Sequence, residues 1–407
     1  MAWLRGSVLR AFSPTDRVLE PVEAYCGTIR RTNHRKRAQY VKSIEIDRSR
    51  SLVEEPEKGH NRFHPDIPPV IEVDEGEEVV FQTRTSMDNQ FTPQTIEADF
   101  PHMDGLRVHP LTGPAYVKGA KPGDLLEVEF LEIETGTWAY TGVIPGRGSL
   151  RDIMDVPLLA HWSLQDGYAT SPQVPGVRIP SAPFMGISAV APSHVQVRAW
   201  AKREADAAAR GGLAQPPNAK SAVPATGPAA EEGLRTIPPR ENGGNMDVKQ
   251  MTVGSKLLFP VFIEGALFST GDGHFAQGDG EVCIHAVETD CTVGVRFRVL
   301  EGEAERKNIR VPRLIHERYA PDPRLQGRFA ATIGLSLQED GTNVSEDLNS
   351  ACRHALLQML DLLQERGFTR EQAYVICSVA VDLKVSQIVD APNMTVTAVL
   401  PEAIFEA

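Results

Sequence analysis

From residue 66 onward the chain is dominated by short stretches in which apolar and polar residues alternate, each entered through a glycine-bearing turn. Three segments repeat the device, at Val73–Thr83, Ala120–Phe130 and Met251–Val261. In the second, Leu126, Val128 and Phe130 fall on one face and Glu127 and Glu129 on the other, the period-two spacing of a half-buried strand. Val293–Val299 continues the pattern. Alternation of this kind, in place of continuous apolar runs, predicts antiparallel pairing. The expected fold is α+β and predominantly β, an antiparallel β-sandwich of jelly-roll-like form with helices near the C-terminus.

Those helices carry end signals. Asn343 followed by Glu346 predicts a capping box that opens a helix running to about Arg366, with Gly367 as its stop. Thr369 with Gln372 opens a second, through Ala373–Leu383, whose apolar surface is nearly continuous and therefore buried. Between 205 and 241 the composition shifts to Ala, Pro and Gly, which predicts a linker or long surface loop. The expected organisation is an N-terminal extension over 1–50, partly disordered, a β-rich half over 51–204, this linker, and an α+β half over 242–407 carrying the main catalytic motifs.

At 407 residues the chain is long enough for a large core, and its net charge of −12 argues against a nucleic-acid surface. Five cysteines without CxxC spacing suggest neither a disulfide framework nor a zinc knuckle, and a reducing, cytoplasmic setting is expected. No apolar run approaches bilayer length, so no membrane partner is expected. The first fifty residues are rich in arginine, but Asp16, Glu20, Glu23 and two prolines spoil a transit-peptide pattern. The expected partner is a small substrate, with a homo-oligomer as the assembly.

The densest chemistry lies in Thr270–Val282, which places Asp272, His274, Asp279 and Glu281 among four glycines directly after an apolar run. In extended chain Asp272 and His274 project from one face, as do Asp279 and Glu281, so both pairs can aim at one point. Glycines there permit close approach of backbone to a ligand. Carboxylates and imidazole without thiolate suit a hard or borderline divalent ion. Zinc is the expected ion, with calcium the alternative. The plainer reading, a solvated Gly-Asp-Gly turn, stands beside it.

Asn242–Asp247, Pro260–Phe268 and Gly271–Glu281, in that order, resemble the acetamidase/formamidase family. Gly59–Asp66, Leu111–Pro114, Gly119–Asp124, Pro183–Gly186, Val385–Asp390 and Pro392 with Asn393 are similar as well, so the resemblance covers about residues 59–401. The His60–Asp66 block and the chain length resemble the formamidase branch more than the shorter acetamidases. The resemblance implies a β-rich sandwich that hydrolyses a small aliphatic amide to carboxylate and ammonia, with a divalent metal in some members. Formamide is the expected substrate and acetamide an acceptable one.

Amide hydrolysis needs a polarised carbonyl, an activated water and a protonated leaving nitrogen, and a bound metal with a nearby carboxylate can provide these. On that scheme Asp272, His274 and Asp247 are the expected metal ligands, and Glu281 with Asp279 the expected catalytic carboxylates. Exchanging Asp247 and Glu281 remains open. Asn245, Phe184 and Gln277 are the expected substrate contacts, although Phe184, Phe268 and Phe275 fit core packing equally. His60 and His64 are four apart, but Pro65, Pro68 and Pro69 argue against a helix that would make them a chelating pair. His285 reads as structural and strand-borne; His102 and His109 flank the strand leading to Thr112–Pro114 and either could reach the site from a loop, but neither is an expected site residue. Cys283 is a weaker nucleophile candidate, on the face of Glu281 if that segment is extended. Two other functions compete: hydrolysis of another small C–N bond such as a lactam, and non-catalytic binding of a small ligand.

Overall fold

The computed structural model describes residues 42–317 and 327–406. The four alternating segments become neighbours in one six-stranded sheet. Its order is Lys42–Ile44, Glu78–Gln82, Cys291–Leu300, Leu125–Thr135, Lys256–Pro260 and Arg313–Ile315. Val293 pairs with Phe81, Phe297 with Val128, and Leu257 with Val128 on its other side, all antiparallel. The three turns ahead of these strands hold Gly76, Gly123 and Gly254 at φ of 85°, 97° and 89°, a left-handed conformation that favours glycine. Lys42–Ile44 joins the sheet in parallel to Glu78–Gln82, so the described end of the expected N-terminal extension is part of the sheet. Residues 1–41 of that extension lie outside the described residues.

An eleven-stranded sheet faces this one. Its main path ends in Trp138–Val143, Glu288–Thr289, Phe268–His274, Phe184–Ala189 and Gly243–Asn245, and Leu111–Val117 branches from Phe268–His274. The fold is thus predominantly β, built on large antiparallel sheets with few helices. One apolar core takes side chains from both sheets: Phe81, Val128 and Phe297 from the first, Ala115, Met185 and Phe268 from the second. Phe268 lies at its centre, with ring centroids 5.8 Å from Phe81 and 5.3 Å from Phe297. Both sheets contain strands from both sides of residues 205–241, and residues 205–209 complete a helix, His194–Ala209, capped by the Ser193 hydroxyl.

The C-terminal helices form as Leu348–Glu365 and Arg370–Ala380. The second has the expected Thr369 and Gln372 capping box and is buried from Ala373 to Ala380, but it stops before Leu383 because Asp382–Gln387 pairs as a strand with Thr395–Pro401. The first starts later than its sequence signal. Glu346 is in a left-handed conformation (φ 58°), and the Asp347 carboxylate accepts the Asn349 N–H as the cap. No helix among the described residues is long and apolar enough to cross a membrane.

Candidate active site

Phe268–His274 sits between three partners: Phe184–Ala189 on one side, Leu111–Val117 and Glu288–Thr289 on the other. All seven of its residues are buried. Asp272 and His274 therefore emerge at the end of a strand fixed on both edges, and the register places His274 opposite Glu288. Asp247 arrives beside them after Gly243–Asn245, its N–H directed at the Gly186 carbonyl at 3.3 Å. Glu281 comes from a turn in which its N–H donates to Gly278 O at 3.2 Å. Asp247, Asp272 and Glu281 all adopt left-handed backbone, with φ of 49°, 59° and 42°. Non-glycine residues rarely do so, and such positions concentrate at functional sites.

The result is a buried cluster of four carboxylates around one imidazole. His274 Nε2 is 3.3 Å from Glu288, 3.4 Å from Asp272 and 3.9 Å from Glu281. Potential ligand atoms of Asp247, Asp272 and His274 lie within 4.8 Å of one another, as do those of His274, Glu281 and Glu288. Asp247 Oδ1, Glu288 Oε2, Asn245 Oδ1 and both His274 nitrogens are buried without a directed hydrogen bond. Unpaired buried polar atoms are costly, so their concentration here marks a place built for a bound group. Gly186 completes the cradle, since a Cβ there would sit 2.7 Å from Asp247 Oδ1 and 2.9 Å from Asp272 Oδ2.

The electrostatics have the same cause. Burial, with Asp272 alongside, pushes the Asp247 carboxyl up to about 8. Burial and then Asp247 raise Glu281 well above the usual carboxylate range. Burial opposes charge on Asp272 too, but His109 and His274 outweigh it and hold that carboxyl low. Burial disfavours the His274 imidazolium, yet Glu288 and Asp272 raise its pKa well above the ordinary value. Like charges this close cannot all ionise unaided. The donor set, one imidazole and several carboxylate oxygens, fits a divalent cation in place of those protons.

The cluster opens into a cavity of about 570 Å³, where Asp272, Glu281, Glu288 and Asn245 meet His109, His285 and Arg235. Burial pushes the His109 pKa down, favouring the neutral ring, and its Nδ1 has no partner. Arg235 is 3% exposed; it donates to Gly105 O at 2.7 Å, while its buried Nε has no partner.

Several expected roles change. Asp279 is not brought to the cluster: residues 275–282 form no strand, Gly280 turns at φ 114°, and the Asp279 carboxylate lies 3.7 Å from Lys249 and 4.0 Å from Lys384. Phe184 is fully buried and packs edge-on against His274 at 4.9 Å, so it orients the ring and does not line the cavity. Gln277 also stands outside the cavity and donates to the Asp247 carbonyl at 2.9 Å. Cys283 is buried, with its thiol pushed up to about 12 by burial, which removes it as a nucleophile. His285 lies outside any strand and is held by the Gly142 carbonyl at 2.9 Å. His60 and His64 separate: His60 meets Ser269 and the Arg62 carbonyl, and His64 meets Glu232. Glu288 and Arg235 carried no signal in sequence, because only strand pairing and chain crossing bring them to the site; Gly186 stood in the Pro183–Gly186 block, which gave no hint of its role.

Comparison with known proteins gives the chain's relatives. The Acetamidase/Formamidase family model matches residues 45–407. A formamidase of Methylophilus methylotrophus is 33% identical, covering 89% of this chain and 93% of its own. An acetamidase of Mycolicibacterium smegmatis is 34% identical, covering 82% and 88% respectively. Among solved structures, a gamma lactamase from Delftia acidovorans matches with a TM-score of 0.85 at 32% identity, over 90% of this chain and 94% of that one. An acetamidase from Bacillus halodurans matches with a TM-score of 0.51 at 27% identity, over 84% and 95%.

Proposed function

The chain belongs to the acetamidase/formamidase family, and from that membership we propose how this amidohydrolase of small linear amides carries out the reaction. The observation that supports the reading is the convergence of Asp247, Asp272, His274, Glu281 and Glu288 on one buried point at the end of the cavity. Asp247, Asp272 and His274 would hold a divalent ion, zinc by the chemistry of the donors, with Glu288 completing the set. When bound, such an ion supplies positive charge that polarises the amide carbonyl and acidifies water. Glu281, which lines the cavity 3.9 Å from His274 Nε2, would in its ionised form take a proton from the attacking water and deliver it to the leaving nitrogen. The carbon–oxygen bond forms, the carbon–nitrogen bond breaks, and carboxylate and ammonia leave. His109 Nδ1 and Arg235 Nε, both buried without a partner, are donors available to the carbonyl oxygen. Asn245 Oδ1 is an acceptor for the amide N–H₂.

The test combines metal analysis with ammonia release from formamide and acetamide. Asp272→Asn lowers both bound metal and turnover, whereas Glu281→Gln retains metal and loses turnover by about 10²–10⁴-fold. Full activity in chelated protein shown to be metal-free would refute the metal assignment. A second reading, lactam hydrolysis, draws support from the likeness to the gamma lactamase. Ring opening of a γ-lactam without ammonia release would favour it.

A further inference from the structure

Formamide has three heavy atoms and, at roughly 30 Å³ for a water-sized unit, needs less than about 100 Å³. The cavity offers about 570 Å³, inside the range of sites that enclose ligands many times larger. Beyond the carboxylate cluster the lining is mixed: Met87, Phe100, Leu106, Val108, Ile237 and Ile284 are apolar, and Ser86, His109, Arg147, Gln215, Arg235 and His285 are polar. Met87 and Val108 belong to a buried apolar cluster with Phe91 and Tyr140, and Phe100 and Ile237 pack against it, so this wall is backed by a core.

Ile284 adds an independent sign. It is β-branched, stands at φ 76°, and is 40% exposed. That backbone region is a genuine outlier for a β-branched side chain, and it is retained three residues after Glu281, with the Ile284 N–H bonded to the Glu281 carbonyl at 2.9 Å. A solvent-facing turn would carry glycine or asparagine at lower cost. Here the conformation sets an apolar side chain on the cavity wall beside the proton-transferring carboxylate.

We propose that the site is specific for primary carboxamides whose acyl group is apolar and of ring size, seated against Ile284 and the Met87–Ile237 wall. The inference rests on the amide-hydrolysis reading and extends it to the substrate class. The reaction is unchanged: water adds to the carbonyl carbon, the C–N bond breaks, and ammonia departs with the proton. Burial of each added methylene stabilises the transition state enough to raise kcat/KM about fourfold.

The experiment measures ammonia release by the full chain from formamide, acetamide, butanamide, hexanamide and cyclohexanecarboxamide. The expected result is kcat/KM rising along the series, with cyclohexanecarboxamide, five carbons larger, about 1,000-fold above acetamide. Ile284→Gly, which relieves the backbone strain, should lower that ratio about tenfold while its thermal midpoint stays level or rises. Were Ile284 only a turn residue, the ratio would not move. Should the variant fail to fold, the wild-type series decides alone. Formamide and acetamide turned over at least as well as the larger amides would overturn the apolar-acyl inference and leave amide hydrolysis standing. No ammonia from any of the five would overturn both.

Discussion

The two halves of the glycine-rich stretch Thr270–Val282 are held by different forces. The first lies within a buried strand bonded on both edges, and His60 adds a clamp from Nε2 to the Ser269 hydroxyl at 2.7 Å. The second crosses without sheet pairing. Gly278 N–H donates to Ser378 O at 2.9 Å, Leu383 N–H to Asp279 O at 3.1 Å, and Asp279 N–H to the Asp382 carboxylate at 3.1 Å, while Lys249 pairs with both Asp279 and Asp382. Asp272 and His274 are therefore aimed by a backbone ladder, and Glu281 by a turn tied down with charge. The difference implies that added volume damages the first half and lost charge damages the second.

The largest effect is expected from Gly186→Ala. Its Cβ would lie under 3 Å from Asp247 Oδ1 and Asp272 Oδ2, and the strand pairing around it leaves those side chains to yield. Displacing them by a fraction of an ångström should lower kcat/KM by about 100-fold, at a stability cost of about 1–3 kcal/mol. Ammonia release and urea unfolding measure the two quantities, and wild-type turnover would mean that the cradle tolerates volume. Lys249→Met probes the other half. It leaves Asp279 and Asp382, both partly exposed, with Lys384 as their remaining cation and should cost about 2 kcal/mol, with a smaller loss of turnover through the Glu281 turn. A variant within about 1 kcal/mol of the parent would show that charge does not hold this loop.

The same contrast explains what was legible in the sequence. Period-two alternation identified Glu78–Gln82, Leu125–Thr135, Lys256–Pro260 and Cys291–Leu300, because each buries one face against the facing sheet. It also put Asp272 and His274 on one strand, where they meet although Asp272 itself, at φ 59°, is not extended. Applied to Asp279 and Glu281 the rule fails, because Gly278–Glu281 is a turn and spacing of two no longer fixes direction. Asn245 and Asp247 were legible through their glycines. Glu288 and Arg235 were not, since one lies in a two-residue strand and the other reaches in from Leu234–Arg235, and for Gly186, though it stood in a matching block, the role was hidden because it acts by what it lacks. The cavity wall was equally hidden, as Met87, Phe100 and Ile237 come from a turn, a short 3₁₀ helix and a bend far apart in the chain.

The clamp on the first half yields the smallest effect and a pH signature. Burial pushes the His60 pKa down to about 4, the Arg62 carbonyl only partly offsetting it. In the unfolded chain the ring titrates near 6.5, so between these values the unfolded state binds more protons than the folded one. His60 is neutral in both states above pH 6.5 and sets no pH slope there. As pH falls from 6.5 toward 4, protonation favours unfolding, and the stability lost approaches about 3 kcal/mol below pH 4. Carboxylates add their own acid sensitivity, so the informative quantity is a difference. His60→Gln, unable to titrate, should start less stable at pH 7.5 and lose less on acidification, the two stability curves converging between pH 6.5 and 4. Urea unfolding at pH 7.5, 6, 5 and 4 follows this, and parallel curves would show that Ser269 and its strand do not depend on a neutral ring.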